Sequence, residues 1–531
     1  MKLLTTAFLA VFLACVPLLT AQGQSYDSAA VARIIDEGTN RSQAIQTLNY
    51  LTNVIGPRLI GSDGYRQAVA WTMRRMDSLG MKNVHIEGWG PFGRGWELKG
   101  YGAMVMEPQA FPLHSYPKAW SPGLNGIQTA EVVYLDVDSL QDLQRFSGKL
   151  KGKFVLVNKP REIPPGFTPL ATRLPDSTLL KLSNASESRP HRFRFTPRIL
   201  AAIRLDSAKL DFCLKERAIA VLNASHGADG NIFVADASTP VAVDKPYGQW
   251  IRSWDVSAPK ILPQISVAAE EYNRLVAMIK AGLTPRLRME LRTEFTQPDS
   301  GWNVVGEIQG TDLRDEVVMI GAHLDSWHGG TGATDNATGV TACLEAARII
   351  QALGLHPRRT IRIALWDGEE EGLLGSRAYV EKHFGSRGGD WFNPSEEVTI
   401  KPEAEKLQVY FNDDNGAGKF RGIYLQGNEA ARAVFRGWLS PFEKMGASTI
   451  SPSYTGGTDH LSFDAIGLPA FQFIQDWLDY MTVTHHSIMD VYERVPEEDM
   501  KQAATIMAAF AYNAAMMEGK FPRKQIIKNG E

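Results

Sequence analysis

Histidine and carboxylate side chains follow apolar runs in the second half of the chain. His323 and Asp325 follow one such run, and a glycine-rich loop then leads to Asp335. A second run, Thr360 to Trp366, is followed directly by the acidic residues 369–371. Imidazole nitrogen and carboxylate oxygen are ligands that zinc takes in proteins, and adjacent acids repel one another unless a cation or solvent separates them. The spacing therefore predicts a metal site assembled from strand ends.

Two later segments add ligands of the same kinds. Asp413 and Asp414 follow a third apolar run, and His485 and His486 lie near the C-terminus. Each motif has an ordinary structural explanation when it is taken alone, such as a helix N-cap for Asp335 or a solvated surface for the acidic run. No comparable explanation covers all of them, because they recur at successive strand ends. The combined set of ligands suits zinc.

These side chains need a scaffold that brings several strand ends to one place. Residues 317–376 have the pattern strand, helix, strand, and strands and helices continue to alternate towards residue 517. Such alternation predicts an α/β fold with a mostly parallel central sheet flanked by helices. In open sheets of this kind, ligands bind outside the carboxyl ends of the strands, which is where the histidines and acids lie.

Hydrophobic periodicity predicts the individual elements. The predicted strands are Val84–Trp89, Ala130–Leu135, Phe154–Val157, Ile219–Leu222, Ile265–Ala268, Val304–Ile308, Val317–Gly321, Thr360–Leu365, Leu407–Phe411, Ile423–Gln426 and Ala470–Ile474. The predicted helices lie within residues 26–80 and at Ala337–Leu353, Ser376–His383, Glu429–Trp438 and Asp499–Met517.

The length of 531 residues exceeds the size at which a single core keeps growing, so we expect more than one domain. Residues 24–110 and 261–531 are predicted to form two parts of the main α/β domain. Residues 111–260, which we call the insert, contain short β-like runs separated by Pro/Ser-rich and basic stretches. This texture predicts a β-rich inserted domain with long loops. Its basic stretch, 186–198, is interpreted as a solvated loop or as a lid that contacts a substrate carboxylate.

The N-terminus has the pattern of a signal peptide. Lys2 precedes an apolar run that extends to Leu19, and small residues lie at Ala21 and Gly23. This pattern predicts a signal peptide over residues 1–23 and a secreted or periplasmic mature protein. An uncleaved anchor and a lipid attached at Cys15 are the alternatives.

Composition excludes several classes of function. The net charge is −3, so no nucleic-acid or membrane-surface partner is expected. Beyond the N-terminus, no apolar run approaches the roughly 18 residues of a membrane helix, so we expect no stable membrane association. Cys213 and Cys343 lack CxxC spacing and do not form a disulfide framework. No pattern predicts the oligomeric state.

Five motifs together resemble those of a known enzyme family. They are GAHLDSW at 321–327, ATDNATG at 333–339, WDGEEEGLLGS at 366–376, NDD at 412–414 and HHSIMD at 485–490. They resemble the metal-binding motifs of the di-zinc exopeptidases, a family that contains secreted bacterial aminopeptidases and the plasma glutamate carboxypeptidases. The N-terminal helices and the insert resemble the branch that carries a protease-associated domain. The resemblance spans nearly the whole chain after residue 23 and implies the zinc exopeptidase fold.

The resemblance implies two zinc ions per chain and a ligand for each position. Asp335 matches the carboxylate that bridges the ions, and a cis peptide bond is expected after it. His323 and Asp414 match the other ligands of one ion. Glu370 and His486 match those of the second ion.

The same comparison implies three further roles. Glu369 matches the general base, Asp325 matches a residue that orients the histidine two positions before it, and His460 matches a residue that polarises the substrate carbonyl. A purely structural role for His460 remains the alternative. Asp413 remains an alternative to its neighbour Asp414, and His485 is disfavoured against His486 because it lacks the family's spacing to the following aspartate.

The implied function is that of a secreted di-zinc metalloexopeptidase. It would hydrolyse terminal peptide bonds of short peptides, as an aminopeptidase or a dipeptidase, with a water held between the metals and a glutamate as general base. A carboxypeptidase of the plasma glutamate carboxypeptidase type is the main alternative. A glutaminyl-cyclase-like acyltransferase, which works with one zinc, and a non-catalytic receptor-like module are further alternatives. Peptides are the expected partners.

Overall fold

The structure is a computed structural model that describes residues 26–186, 195–389 and 394–524. The signal-peptide prediction for residues 1–23 and most of the basic stretch 186–198 lie outside these ranges. Within the described residues, none of the helices is both long enough and apolar enough to cross a membrane.

Helices and strands alternate along most of the described chain. The α-helices are α1 Ser28–Asn40, α2 Ala44–Asn49, α3 Asp63–Ser78, α4 Asp176–Ser183, α5 Pro197–Lys215, α6 Ala269–Lys280, α7 Thr338–Ala352, α8 Leu374–His383, α9 Arg432–Leu439, α10 His460–Asp464 and α11 Glu497–Met516. The strands are β1 Lys82–Glu107, β2 Phe111–Pro112, β3 Ser115–Pro117, β4 Gln128–Tyr134, β5 Phe154–Leu156, β6 Ala220–Ala224, β7 Gln264–Val267, β8 Arg286–Ile308, β9 Leu313–His323, β10 Arg359–Trp366, β11 Gly385–Gly389, β12 Pro394–Ile400, β13 Leu407–Asn412, β14 Phe420–Tyr424, β15 Thr449–Ser451 and β16 Ala470–Gln475.

Most of the strands belong to one continuous sheet. Its order is β15-β14-β16-β13-β9-β10-β8-β4-β5-β6-β7-β3, and β1 pairs with β8 and with β2. The centre of the sheet is parallel, because β10, β9, β13 and β16 run in the same direction. The neighbours β8 and β14 are antiparallel to it. The predicted α/β fold with a mostly parallel central sheet flanked by helices is confirmed.

Helices cover both faces of this centre because side chains alternate along each strand. On β9, Val318 and Ile320 pack into a large core together with residues of α1, α7 and α11. Met319 points to the opposite face and packs with residues of α8 and α10. The strand ends are thereby fixed between two buried layers.

The insert, together with the following β7 and α6, extends the same sheet and packs in two further cores. Strands β4, β5, β6 and β7 are parallel neighbours, and β4 joins the main sheet through the long strand β8. Leu222 of β6 packs in a core with Tyr272 of α6, whereas Val221 packs in another core with Cys213 of α5. Because α5 and α6 pack against these strands, this part of the chain is mixed α and β. Its boundaries and its relation to a protease-associated domain stay predictions.

A charged contact joins helix α8 to strand β1. Nε2 of His383, the last residue of α8, lies 2.6 Å from Oε1 of Glu87, and its Nδ1 lies 3.2 Å from Oε2 of Glu403. Lys382 also pairs with Glu87, at 2.8 Å. The hydrogen bond to Glu87 raises the pKa of His383. Burial opposes ionisation of Glu87, but the bonds from His383 and Lys382 lower the pKa of its carboxyl to about 2.

We predict that this contact makes stability depend on pH. A histidine whose pKa is raised in the folded state contributes stability below its unfolded pKa, about 6.5, and loses it as the pH rises through the folded value. His383→Gln should therefore lower the free energy of unfolding more at about pH 5.5 than at about pH 8.5, measured by urea denaturation. The exposed His356 supplies the control, since His356→Gln should show the same small effect at both pH values. An equal effect of His383→Gln at both would contradict the prediction.

Candidate active site

Three adjacent parallel strands bring the candidate residues together. Strand β9 ends at His323, β10 at Trp366 and β13 at Asn412, and β9 lies between the other two. Because the carboxyl ends of parallel strands share one edge of a sheet, the loops after them converge there. The acidic residues 369–371 and Asp414 consequently lie beside His323.

Asp335 lies between two histidines. Its Oδ1 is 3.1 Å from Nε2 of His323, and its Oδ2 is 3.4 Å from Nε2 of His486. Each oxygen of one buried carboxylate thus faces a different imidazole. This is the arrangement that a carboxylate shared by two metal ions requires.

A further carboxylate accompanies each histidine. Asp414 Oδ1 is 3.4 Å from Nε2 of His323, and Glu370 Oε2 is 2.9 Å from Nε2 of His486. Ligand atoms of His323, Asp335 and Glu370 all lie within 4.8 Å of one another. The structure therefore brings together the five residues that the sequence predicts as metal ligands, in two groups that share Asp335.

The unpaired oxygens of this cluster fit bound cations. Asp335 Oδ2, Glu370 Oε1 and Asp414 Oδ1 are buried and accept no hydrogen bond from the described residues. A buried carboxylate without a donor is costly, and a divalent cation removes that cost. Zinc binds histidine nitrogen as well as carboxylate oxygen. Calcium takes oxygen ligands alone, so the two histidines favour zinc over calcium. The donor set thus fits zinc.

The charges of the cluster shift the pKa values of its members. Burial disfavours the protonated imidazole of His323, yet Asp414 and Glu369 outweigh it and hold the pKa of His323 well above its ordinary value. Burial, reinforced by the charge of Asp335, raises the pKa of Glu370 well above its ordinary value. In both cases the neighbouring carboxylates favour the protonated form, and for Glu370 burial acts in the same direction.

Asp325 connects the first histidine to the acidic turn. The Nδ1 of His323 lies 3.0 Å from the backbone carbonyl of Asp325 and 3.5 Å from its carboxylate. That carboxylate accepts hydrogen bonds from the backbone N–H groups of Glu369 and Glu370, each at 3.3 Å. Asp325 therefore fixes the turn that carries both glutamates as well as the face of the imidazole.

Glu369 lies on the side of the cluster formed by His323 and Asp414. Ligand atoms of these three residues are within 4.8 Å of one another. Burial raises the pKa of Glu369 well above its ordinary value, against the opposing charge of His323, and Asp414 and Asp459 raise it further. A carboxylate held in this way accepts a proton more readily than an exposed one.

Asp490 holds the backbone around Asp335, a role that the sequence did not reveal. Its Oδ1 accepts from the N–H and the hydroxyl of Thr334, at 2.6 and 2.8 Å, and its Oδ2 accepts from the N–H of Asp335 at 3.2 Å. The peptide bond between Asp335 and Asn336 is cis, as the family resemblance implied. The Oδ1 of Asn336 then accepts from the N–H of Gly339 at 3.0 Å and caps the first turn of α7.

Gly339 lets that turn approach the strand end closely. A Cβ at this position would lie 2.2 Å from the carbonyl oxygen of Asp413, which also accepts from the side chain of Asn336 at 2.8 Å. The carboxylate of Asp413 is buried without a hydrogen-bond donor among the described residues. Of the two adjacent aspartates, Asp414 is the one whose carboxylate meets His323.

Arg58 holds the glycine-rich loop through hydrogen bonds to its carbonyls. No sequence motif predicted this role of Arg58. It is completely buried and donates to the carbonyls of Leu324, Thr331 and Gly332 at 2.7, 2.8 and 2.8 Å. Its backbone N–H also donates to the hydroxyl of Ser326 at 3.0 Å. Burial lowers the pKa of Arg58 to about 10, against the opposing charges of the nearby acids. The loop that leads to Asp335 therefore depends on a buried cation.

His486 is held by the insert. Its φ of 57° is one that residues other than glycine adopt infrequently. Its carbonyl oxygen accepts from the N–H of Val234 at 2.8 Å, and the N–H of Ile488 donates to the carbonyl of Ile232 at 3.0 Å. The insert thus fixes the backbone of a candidate ligand.

The two remaining histidines differ in position. Nε2 of His485 lies 3.9 Å from Oδ2 of Asp335, and its ring stacks on His486 with centroids 3.7 Å apart. His460 is buried with Nε2 3.3 Å from the carbonyl of Thr455, and burial lowers its pKa to about 3. It forms no hydrogen bond or ion pair with the predicted ligands among the described residues. The predicted role of His460 in polarising the carbonyl stays a prediction.

Known proteins share this arrangement of the chain. Residues 303–511 match the model of peptidase family M28. Carboxypeptidase Q of Mus musculus is 26% identical over 498 residues, which cover 93% of this chain and 90% of that protein. The crystal structure of a peptidase M28 precursor from Shewanella amazonensis SB2B has a TM-score of 0.66 and 24% identity, and covers 94% of this chain and 99% of that one. A zinc aminopeptidase from Bacillus subtilis has a TM-score of 0.54 and 19% identity, with 90% and 95% covered.

The two solved structures establish the fold that is shared. The match to the peptidase family model and the similarity to carboxypeptidase Q along nearly the whole chain support a zinc-dependent peptidase, which is a hydrolase. Residues 303–511 of the chain are similar to peptidase family M28.

We predict that Arg58→Met destabilises the fold and weakens metal binding. The substitution leaves several carbonyls without their donor and removes a buried cation from an acidic cluster, a change that costs about 3–5 kcal/mol. Urea denaturation and zinc content of the purified protein measure the two effects. Arg41→Met serves as control, because Arg41 forms its ion pairs at the surface and its loss should leave both quantities nearly unchanged. Wild-type stability of the Arg58 variant would contradict the prediction.

Proposed function

We propose that this chain is a di-zinc exopeptidase that removes terminal residues from short peptides. The observation that carries the proposal is the position of Asp335, whose two carboxylate oxygens face two different pairs of histidine and carboxylate. A relative named as a zinc aminopeptidase and a relative named as a carboxypeptidase support exopeptidase action. The presence of both ligand groups and of Glu369 disfavours a one-zinc acyltransferase and a receptor-like module.

In this proposal the five ligands divide between two ions. His323 and Asp414 hold one ion, Glu370 and His486 hold the second, and Asp335 serves both. When bound, the ions acidify a water molecule and polarise the carbonyl of the substrate. Asp335 would contribute one carboxylate oxygen to each ion, because its two oxygens face different histidines.

The protein groups around the ions supply the proton transfers and the positioning. Glu369 takes the proton of the attacking water and passes it to the amine that leaves. The carboxylate of Asp325 positions Glu369 by accepting a hydrogen bond from the backbone N–H of Glu369. Asp490 positions Asp335 through the bonds to its N–H and to Thr334. The low dielectric of the buried cluster strengthens each of these interactions.

The terminus that is cleaved defines two candidate activities. We favour aminopeptidase or dipeptidase action on short peptides. Carboxypeptidase action is the second candidate, and the relative named carboxypeptidase Q favours it because the match covers nearly all of both chains. Export of the mature protein is part of the proposal and rests on the signal-peptide pattern of residues 1–23.

We predict that Glu369→Gln abolishes hydrolysis and keeps the metal. Without a proton acceptor the rate should fall by about 10²–10⁴, whereas the zinc content should stay at about two per chain. Hydrolysis of leucyl-leucine, leucine anilide and an N-blocked dipeptide measures the activity, and atomic absorption measures the zinc. Cleavage of the anilide identifies an aminopeptidase, cleavage of the blocked peptide a carboxypeptidase, and cleavage of the free dipeptide alone a dipeptidase.

The adjacent Glu371→Gln is the matched control and should retain activity, because Glu371 lies at the variable position of the motif. An active Glu369→Gln enzyme would refute the assignment of the base. A wild-type protein that binds no zinc would refute the whole proposal.

A second prediction tests which of the adjacent histidines, His485 or His486, is a metal ligand. His486→Ala should reduce the zinc content from about two to about one per chain, because His486 pairs with Glu370 at 2.9 Å. His485→Ala should keep both ions, since His485 lies farther from Asp335. The opposite result would assign the ligand to His485.

A further inference from the structure

A cavity of about 490 Å³ lies in the insert, close to the candidate active site. Its volume falls in the range of about 300–1,000 Å³ that small-ligand sites occupy. Its lining includes Lys118, Arg252 and Lys209 together with Asp206 and Asp236. Several charged side chains in one pocket favour a polar ligand over an apolar one.

The cations of the cavity exceed what its acids neutralise. Lys209 pairs with Asp206 at 3.1 Å. Lys118 forms no hydrogen bond or ion pair through its ammonium group with the residues that the structure describes, although burial lowers its pKa. Arg252 lies over the ring of Tyr247 at 4.2 Å and forms no ion pair within the same described ranges. The charges of Lys118 and Arg252 both act on the carboxylate of Asp236, so the three cations and two acids of the lining leave one positive charge for an anionic group.

Acceptors lie in the same cavity. Oδ1 of Asn223 is buried and has no hydrogen-bond donor among the described residues. Asp236 accepts a long bond from the hydroxyl of Ser253, at 3.4 Å, and burial raises the pKa of its carboxyl, against the opposing charges of Lys118 and Arg252. Cations for a carboxylate beside acceptors for an N–H group match the end of a peptide or an amino acid.

The cavity and the candidate metal site share one segment of chain. Phe233 and Val234 line the cavity. Val234 donates to the carbonyl of His486 at 2.8 Å, and Phe233 pairs with Ser487. A single extended segment thus separates the unpaired cations from the loop that carries a candidate ligand.

We propose that this cavity binds the α-carboxylate of an amino-acid or peptide ligand through Lys118 and Arg252. The inference deepens the proposed peptidase function and rests on it for the identity of the ligand. The same carboxylate chemistry has two sources: the C-terminal end of the substrate, or a free amino acid at a site of its own. Asp236 and Asn223 accept from the nitrogen next to the carboxylate in either case.

The test compares a carboxylate with its amide. Binding of leucyl-leucine and of leucyl-leucinamide is measured by calorimetry on the zinc-loaded Glu369→Gln protein, which does not consume the peptides. The free acid should bind about ten- to hundredfold more tightly, as expected for a charge-assisted hydrogen bond. Lys118→Met on the same background should remove this preference, and Arg252→Met should reduce it. Lys153→Met is the matched control, because Lys153 pairs with Glu131 elsewhere in the insert, and it should keep the preference.

An unchanged preference in both the Lys118 and the Arg252 variants would overturn the proposal, and thermal melting shows whether either variant has unfolded. Leucine hydroxamate, which ligates zinc, distinguishes the two sources of the carboxylate, the substrate's C-terminus and a free amino acid. Competition between hydroxamate and dipeptide, with no separate binding of leucine, identifies the substrate's C-terminus. Binding of leucine to the hydroxamate-loaded protein identifies an independent site. Failure of the wild type to hydrolyse any peptide refutes the proposed function, whereas the loss of the preference in the Lys118 variant, and its retention in the Lys153 variant, tests the cavity.

Discussion

The structure depends on burying more carboxylates than cations at one edge of a sheet. Asp335, Glu370 and Asp414 have oxygens without hydrogen-bond donors in the described chain, and like charges at such distances oppose one another strongly where water is excluded. The cluster is therefore unfavourable as a purely protein structure. Divalent cations convert it into a favourable one, so metal binding and the stability of this edge are linked.

Supporting residues determine the positions of these ligands. Arg58 fixes the loop before Asp335 through its carbonyls, Asp490 fixes the backbone at Asp335 itself, and Asp325 fixes the turn with Glu369. Each acts on the backbone of a ligand or base. A substitution at any of them alters the site without removing a group that touches the metal, in the way that outer residues commonly govern metal centres.

The sequence predicted those parts of the molecule that depend on local pattern. The strands that end at His323 and Trp366 were recognisable because apolar runs stop at polar residues, and parallel pairing then determined that their ends meet. Arg58 escaped prediction because its contacts with the site are to carbonyls more than 260 residues away, which leave no trace in the sequence around it. Helix α5 escaped it because only Cys213 and Lys209 along its length are buried, so its apolar stripe is faint. The cavity of the insert depends on the same long-range packing.

The contact between the insert and the His486 loop joins segments that are far apart in the sequence. Asn231 and Val483, which are joined by a hydrogen bond, lie 252 residues apart, so this junction forms only when the C-terminal part of the molecule has been synthesised. Contacts at such separations also form slowly, because a long loop must close first. A chain that ends before Val483 therefore lacks the contacts that hold the His486 loop against the insert. The candidate active site is thus completed by contacts between distant parts of the sequence.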